Sequence, residues 1–574
     1  MSDIHPAAEF FKQCLKAGDS PEEATAKTIR VFGPEDARVA RIEAKEEIRK
    51  IYIMRDPPIL VDHELAEWYP GPSDDDRYWP ALRRFLLEEK DWDDDSIRDL
   101  DRSSTQVVSR IAPPGKAEIK SRGLVVGYVQ SGKTANFTAV IAKAADVNYR
   151  IFVVLSGLTN SLRNQTQERL DRELVGLSPG NWLTLTDARS DFGGAIPMRP
   201  DAVFSRAGSN RVLAVLKKNG TRLRRFVKWL EGSHPDIRRN SAILVIDDEA
   251  DQASINTSKN DAERSKINAL IVRLLREMPK AAYVGYTATP FANVLNEPPG
   301  PESLYPSHFI TTLPPSSTYF GPEKLFGRER LRGEEEDSDV DGLDMIRDIS
   351  DQEEQAMREA VLTGECVVAE ALDQALRFFL MATAARLARH GEFKFSTMLV
   401  HTTQRVHAHY LMQSALKKHA EGFETRLAQN ESELHDELKL QWNSECARVN
   451  PQEAGCAYPS VSFDQLAPFL HDVVKQTKFV VDNYISPARL DFSVPGKSVV
   501  VIGGNTLSRG LTVEGLVTSY FLRSSTAYDT LLQMGRWFGF RKGYEDLPRI
   551  WMTGELKVYF LDLGTIETEF RAEL

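Results

Sequence analysis

Between residues 121 and 287, short apolar, β-branched runs alternate with stretches of helical period: "GLVVGYV", "RIFVVLS", "NWLTLT", "RVLAVL", "AILVID" and "AAYVGYT" are the runs. Runs this short, with no polar alternation, read as strands covered on both faces. Strands separated by helices need crossover connections, which predicts a parallel sheet flanked by helices. The texture returns at "FKFSTMLVH" and "KSVVVIGG". A second sheet of the same kind is expected there, and the fold class is α/β. At 574 residues the chain exceeds one hydrophobic core, so two to four domains are expected.

Breaks in the texture give the boundaries. Residues 1–105 form a helical N-terminal region, with apolar positions at three-to-four spacing in "ATAKTIRVFG" and "ARVARIEAKEEIRKIYIM", and "YPGPSDDD" as a linker. The first α/β unit spans 106–300. Residues 301–390 read as a linker or insertion containing a strongly acidic, apolar-poor stretch at 331–354, expected to be solvated and partly disordered. The second unit spans 391–574 and is interrupted by a mainly helical insertion at about 403–485.

No run of eighteen apolar residues occurs, so no membrane span is expected. The first residues lack a basic and then apolar leader, and the four cysteines are scattered without a C-x-x-C pair. A cytoplasmic protein with reduced thiols is the expectation. The net charge of −11 argues against a basic coat. One stretch is nevertheless basic: Ser205 to Asn240 carries ten Lys and Arg against Glu231 and Asp236.

The first strand runs into "GYVQSGKT", with Gly127, Gly132, Lys133 and Thr134 in the spacing G-x4-G-K-T. A strand, a glycine loop and a helix start in that order form a phosphate cradle. Gly127, Gln130, Ser131 and Gly132 supply the loop around the phosphates of ATP. Lys133 would neutralise phosphate oxygens, and Thr134 would ligate Mg2+. Downstream, "ILVIDDEADQAS" places acids at the C-terminal end of an apolar strand, the edge where open α/β sheets bind ligands. Asp248 fits a metal-holding carboxylate and Glu249 a base that activates water, with Asp247 as a substitute for Asp248. The next strand ends in "TATP"; Thr287 and Thr289 are placed to couple nucleotide state to motion.

Two later segments, "VVVIGGNTLSRGLTVEGL" and "TAYDTLLQMGRWFGFRKGY", set arginines beside glycines. Arg509, Arg536 and Arg541 are candidates to stabilise charge on a transferring phosphoryl group.

In this order the motifs resemble the superfamily-two helicase core over about 121–295 and 391–560. "GLVVGYVQSGKTANF", "LAVLKKN", "IDDEADQASIN", "GYTATPFANVL", "TMLVHTT", "LSRGLTVEGL" and "QMGRWFGFRKGY" together resemble the Z1 domain family. That resemblance implies two RecA-like lobes and a nucleic-acid-dependent ATPase of bacterial phage-defence operons. It also implies DNA and a MutL- or MORC-like ATPase as partners. By motif, Gln533 joins Arg536 and Arg541 in the last ATPase motif. The spacing departs from Q-x-x-G-R-x-x-R, since the first gap is one residue shorter and four residues separate the arginines. Arg536 is favoured as the finger over Arg541.

The resemblance also implies nucleic acid lying across both lobes. Lys217, Lys218, Arg222, Arg224, Arg225 and Lys228 are the candidate phosphate contacts, with Thr159, Asn160 and Arg163 beside them. Trp229 is expected in the core. The family's endonuclease label finds no carboxylate cluster in the sequence outside the ATPase motifs. His401, His407 and His409 read as a strand end and a helix face rather than a metal site. An ATP-gated endonuclease subunit and a nucleotide-switched scaffold recruiting partner proteins are the alternatives.

Overall fold

The computed structural model describes residues 6–7, 10, 21–33, 36, 59–61, 68–90, 92–128, 132–192, 198–206, 210–252, 254, 266–289, 293, 303–314, 319–331, 334, 338–363, 366–403, 405–483, 486, 496–504, 513–522, 531–532 and 534–573. Two compact units emerge, one spanning residues 56–316 and one spanning 317–572 together with 1–55.

The first unit is built on eight strands: β1 (Ile59–Val61), β2 (Arg122–Val126), β3 (Ile151–Ser156), β4 (Trp182–Thr184), β5 (Arg211–Lys217), β6 (Ile243–Asp248), β7 (Ala281–Thr287) and β8 (Phe309–Thr312). Their order across the sheet is β1-β8-β2-β7-β6-β3-β5-β4. All pairs are parallel except β1 with β8. Alternate residues of each strand enter opposite cores, as the pleat requires. Leu244, Ile246, Val284 and Tyr286 pack under helices α1 (Tyr78–Glu88), α2 (Asp94–Arg110) and α3 (Lys133–Asp146). Ile243, Val245, Ala281 and Tyr283 face a second core on the other side. That side is covered by α5 (Gly220–Glu231) and α6 (Lys266–Glu277); α4 (Asn160–Leu170) follows β3. The carboxylate of Asp146 accepts from the backbone N–H of Arg77, Tyr78 and Trp79 at 2.8–2.9 Å, so the end of α3 caps the start of α1.

The second unit holds a wholly parallel sheet of β9 (Ile346–Ile349), β10 (Ser396–His401), β11 (Lys478–Asp482), β12 (Ser498–Gly503), β13 (Leu516–Phe521) and β14 (Arg549–Thr553). Its order is β9-β14-β13-β10-β12-β11. The long helix α7 (Glu370–His390) is buried along most of its length, packed with α9 (Ser432–Arg448) and α10 (Phe463–Gln476). Helix α8 (Val406–Ala428) lies between β10 and α9 in sequence, and α11 (Gly554–Glu573) follows β14.

The observed fold is thus α/β with two parallel sheets flanked by helices. Three features add detail to the expected division. The acidic stretch is not simply a solvated insertion: Met345, Ile346 and Ile349 are buried, and β9 pairs with β14. Residues 56–105 belong to the first unit, where β1 extends the sheet and α2 packs on α3. The helical insertion ends in β11, an edge strand paired with β12. Of the N-terminal helical segments, Pro21–Phe32 is a helix; residues 37–54 lie outside the described residues.

Candidate active site

The glycine loop leaves β2 after Val126. Backbone N–H of Gly127 donates to the Thr287 carbonyl at 2.9 Å, which fastens the loop to the end of β7. Gln130 and Ser131 lie outside the described residues. Gly132 has φ +89°, the left-handed region that suits glycine, and stands as the N-cap of α3. It brings no side chain to the helix start, and the first turn of α3 carries no acid. The early N–H groups and positive dipole end of α3 are thus not neutralised by an acid of the helix's own first turn. Lys133 follows and donates Nζ to the Tyr128 carbonyl at 2.9 Å. Thr134 is half-buried in the first turn.

Strand parity separates the neighbouring acids. Asp247 shares the face of Ile243 and Val245, away from α3, and is fully buried. It accepts from the Tyr283 hydroxyl at 2.6 Å and pairs with Lys218 at 2.7 Å. Asp248 falls on the α3 face. Burial pushes its carboxyl up, while the charges of Lys133 and Lys218 pull it down. The substitution of Asp247 for Asp248 is thereby disfavoured, because Asp247 is spent on a buried ion pair. Glu249 has φ +54°, a conformation costing a non-glycine residue on the order of 1–3 kcal/mol. Surrounding bonds hold the turn: Ala250 N–H donates to Tyr286 O and Gln252 N–H to Glu249 O, both at 2.9 Å. Tyr286 spans to α3 through Asn136, its hydroxyl donating to Oδ1 at 2.9 Å.

Thr287 and Thr289 both converge on Asp251. Their hydroxyls donate to Oδ1 at 2.8 Å and to Oδ2 at 3.1 Å, and Thr289 N–H donates to Thr287 Oγ1 at 2.9 Å. Sequence reasoning had not given Asp251 a role. Its signal was present, as the last residue of the D-E-A-D string.

The basic stretch divides into inward and outward residues. Lys218 does not reach solvent: its side chain is fully buried and bonds the Glu249 and Gln252 carbonyls at 2.6 and 3.2 Å. Arg163 is also buried, donating to Asn164 Oδ1 and the Ser190 and Asp187 carbonyls. Both are corrected from surface phosphate contacts to internal braces, because the carbonyls they hold lie inside the fold. Lys217 donates to Asn160 Oδ1 at 2.9 Å, and Thr159 caps α4 by accepting from Leu162 N–H. Arg224 and Lys228 are exposed on α5; Arg222 and Arg225 are half-buried, with Arg222 3.8 Å from Asp191. Trp229 is in the core, as expected.

In the second unit, Gln533 and Arg509 lie outside the described residues. Arg536 and Arg541 are both largely buried. The Arg541 guanidinium is committed to its own loop, donating to the Phe540 and Trp537 carbonyls at 2.7 and 2.8 Å and to Arg536 and Phe538 at 3.3 Å. His401 and His409 are buried and His407 is exposed, and His409 bonds the Thr403 carbonyl. Among the described residues, no group of three His, Cys, Asp or Glu side chains is placed to hold a metal ion.

Residues 371–574 match the family model of the Z1 domain. The matched stretch takes in every strand of the second sheet except β9, and it contains Arg509, Gln533, Arg536 and Arg541. No curated protein matches the chain in sequence. Solved structures similar to it include Saccharomyces cerevisiae Dbp5 bound to RNA and ADP BeF3, at 13% identity and TM-score 0.36, covering 83% of this chain and 92% of that one. Another is the helicase MrfA bound to DNA and AMPPNP, at 10% identity and TM-score 0.44, covering 92% of this chain and 57% of that one. A third is the helicase Lhr of Mycobacterium smegmatis bound to ssDNA and AMP-PNP, at 13% identity and TM-score 0.34, covering 79% and 45%. The chain therefore spans about half the length of MrfA and Lhr. These likenesses are loose, and the fold stands on the two sheets themselves.

Proposed function

We propose that this chain is a nucleic-acid-dependent ATPase, a helicase-like DNA translocase or remodeller. One observation carries the reading: Lys133 opens α3 behind a left-handed glycine, and Asp248 falls on the same face of the sheet, where burial raises its carboxyl and the nearby Lys133 charge opposes that rise. The residues present suit ATP and Mg2+. The first turn of α3 offers N–H donors and carries no acid of its own, and Thr134 and Asp248 are the residues that would ligate the metal through oxygen. When bound, the metal would neutralise charge on the phosphates.

In this reading Lys133 holds the β- and γ-phosphates. Glu249 takes a proton from the attacking water as its oxygen bonds the γ-phosphorus. The bond to the bridging oxygen breaks, leaving ADP and phosphate. Arg536 is the proposed arginine for charge stabilisation, as the motif resemblance gives it, and Arg541 bonds the carbonyls of its own loop. Thr287 and Thr289 couple hydrolysis to motion through Asp251. Lys217, Arg224, Lys228, Thr159 and Asn160 supply the DNA contacts, with Arg222 and Arg225 at their margin. Action in the cytoplasm against phage, alongside a MutL- or MORC-like ATPase, is what the family resemblance adds. No described helix is long and apolar enough to cross a membrane.

Nucleotide binding and turnover in two variants test the site. Lys133→Ala is expected to lose both. Glu249→Gln is expected to bind ATP and hydrolyse it at least a hundredfold more slowly. Normal turnover in Lys133→Ala contradicts the reading.

A further inference from the structure

Lys218 is a fully buried lysine at the end of β5, in parity with Val212, Ala214 and Leu216 on the sheet face away from α3. Burying an ammonium is costly, and such groups persist when every proton is used. Here Nζ lies 2.7 Å from Asp247 Oδ1, as an ion pair rather than an aligned hydrogen bond. It donates to the Glu249 carbonyl at 2.6 Å and the Gln252 carbonyl at 3.2 Å. Asp247 is held in turn by the Tyr283 hydroxyl at 2.6 Å. The lysine backbone is anchored as well, with N–H donating to the Gly157 carbonyl at 3.1 Å.

These bonds bear on one unusual residue. Glu249 adopts φ +54°, which places its carbonyl toward Lys218 while the chain turns out of β6. A carboxylate that must align one water needs its backbone fixed by more than its own preference. We infer that Lys218 is a positioning residue for Glu249: its ammonium pins the Glu249 carbonyl from behind the sheet and so fixes the general base for hydrolysis. Asp247 serves as the counter-charge that lets this cation stay buried.

The inference rests on ATP hydrolysis at the Lys133 site. Lys218→Met alone would strand the Asp247 carboxylate and confuse stability with alignment. The test is therefore Lys218→Met combined with Asp247→Asn, which removes both charges together. Thermal melting, equilibrium binding of a fluorescent ATP analogue, and steady-state turnover are measured side by side. The expected result is a melting temperature near wild type, nucleotide affinity within about threefold, and kcat lowered at least tenfold. Lys218→Gln with Asp247→Asn keeps one donor toward the carbonyl and is expected to fall between that pair and wild type in kcat.

Wild-type kcat in the methionine pair overturns the inference, as does loss of nucleotide affinity in a folded protein. If the methionine pair does not fold, the glutamine pair decides: wild-type kcat there overturns the inference, and a several-fold loss at unchanged affinity supports it. Wild-type protein lacking any Lys133-dependent hydrolysis would remove the ATPase reading itself. Hydrolysis that is indifferent to Lys218 removes only this assignment.

Discussion

Thr287 donates its hydroxyl to Asp251 at 2.8 Å, joining the end of β7 to the acidic turn that follows β6. The same threonine accepts the bond that Gly127 N–H makes to its carbonyl. One residue thus touches the phosphate loop through its backbone and the acidic turn through its side chain. A shift in either is felt at the other.

Thr287→Val keeps the shape and removes the hydroxyl. It leaves one Asp251 oxygen without this donor, which is expected to cost roughly 1–3 kcal/mol in a denaturant melt. ATP binding is expected to stay near wild type while the acceleration of turnover by DNA falls. Unchanged acceleration would separate Thr287 from coupling.

Arg536 and Arg541 are expected to fail in different ways. Arg541 braces four carbonyls of its own loop, so Arg541→Ala should lower the melting temperature. Arg536→Ala is expected to reduce turnover by about 10³, the scale of a lost arginine finger, a loss larger than any fall in its melting temperature accounts for. Melting curves and kcat measured together distinguish them.

A buried triad ties the helical insertion to the second sheet. Glu445 on α9 pairs with Arg347 of β9 and with Arg549 of β14, whose Nε donates at 2.7 Å. Burial raises the Glu445 carboxyl, but the two guanidinium groups outweigh it and hold it below the usual range. Its stabilisation is present above the unfolded carboxylate pKa and is lost as pH falls through the lower folded value. Glu445→Gln removes the carboxylate shared by Arg549 and Arg347, leaving Arg347 only the Asp344 carboxylate, and is expected to cost roughly 3–5 kcal/mol at neutral pH, measured by chemical denaturation. The deficit should shrink in strong acid.

Lys143 has the opposite pH signature. It is fully buried under Trp79, bonds Thr105 and the Asp101 carbonyl and carboxylate, and is lowered by burial to about 8, with Asp101 opposing. The unfolded lysine holds its proton to about 10.4. Between these values the unfolded state binds more protons, so stability should rise with pH from about 8 to about 10.4. The gain is roughly 3 kcal/mol at most and should be absent from Lys143→Met. Melts of both proteins across that range, compared as differences, check the sign.

How much of this was legible in the sequence follows from burial. Strands β2, β3, β5, β6 and β7 are covered on both faces, so they read as unbroken apolar runs. β9 hid because "IRDI" carries Arg347 and Asp348 within an acidic stretch, though Ile346 and Ile349 are buried. β13 and β14 contain polar residues buried with the strand: Thr518, Ser519 and Arg549. The glycine loop and D-E-A-D string were legible because their chemistry needs fixed residue types at fixed spacing. The inward turn of Lys218 was not, because it depends on β5 and β6 presenting the same parity to one face. Nothing local distinguishes Lys218 from Lys217, yet one is buried against Glu249 and the other reaches Asn160.

The most direct test of the central claim is steady-state ATP hydrolysis by the purified chain, alone and with single- or double-stranded DNA, with Lys133→Ala as control. The account predicts Mg2+-dependent turnover that rises at least several-fold with one form of DNA and vanishes in the control. Turnover indifferent to nucleic acid, or equal in Lys133→Ala, would contradict it.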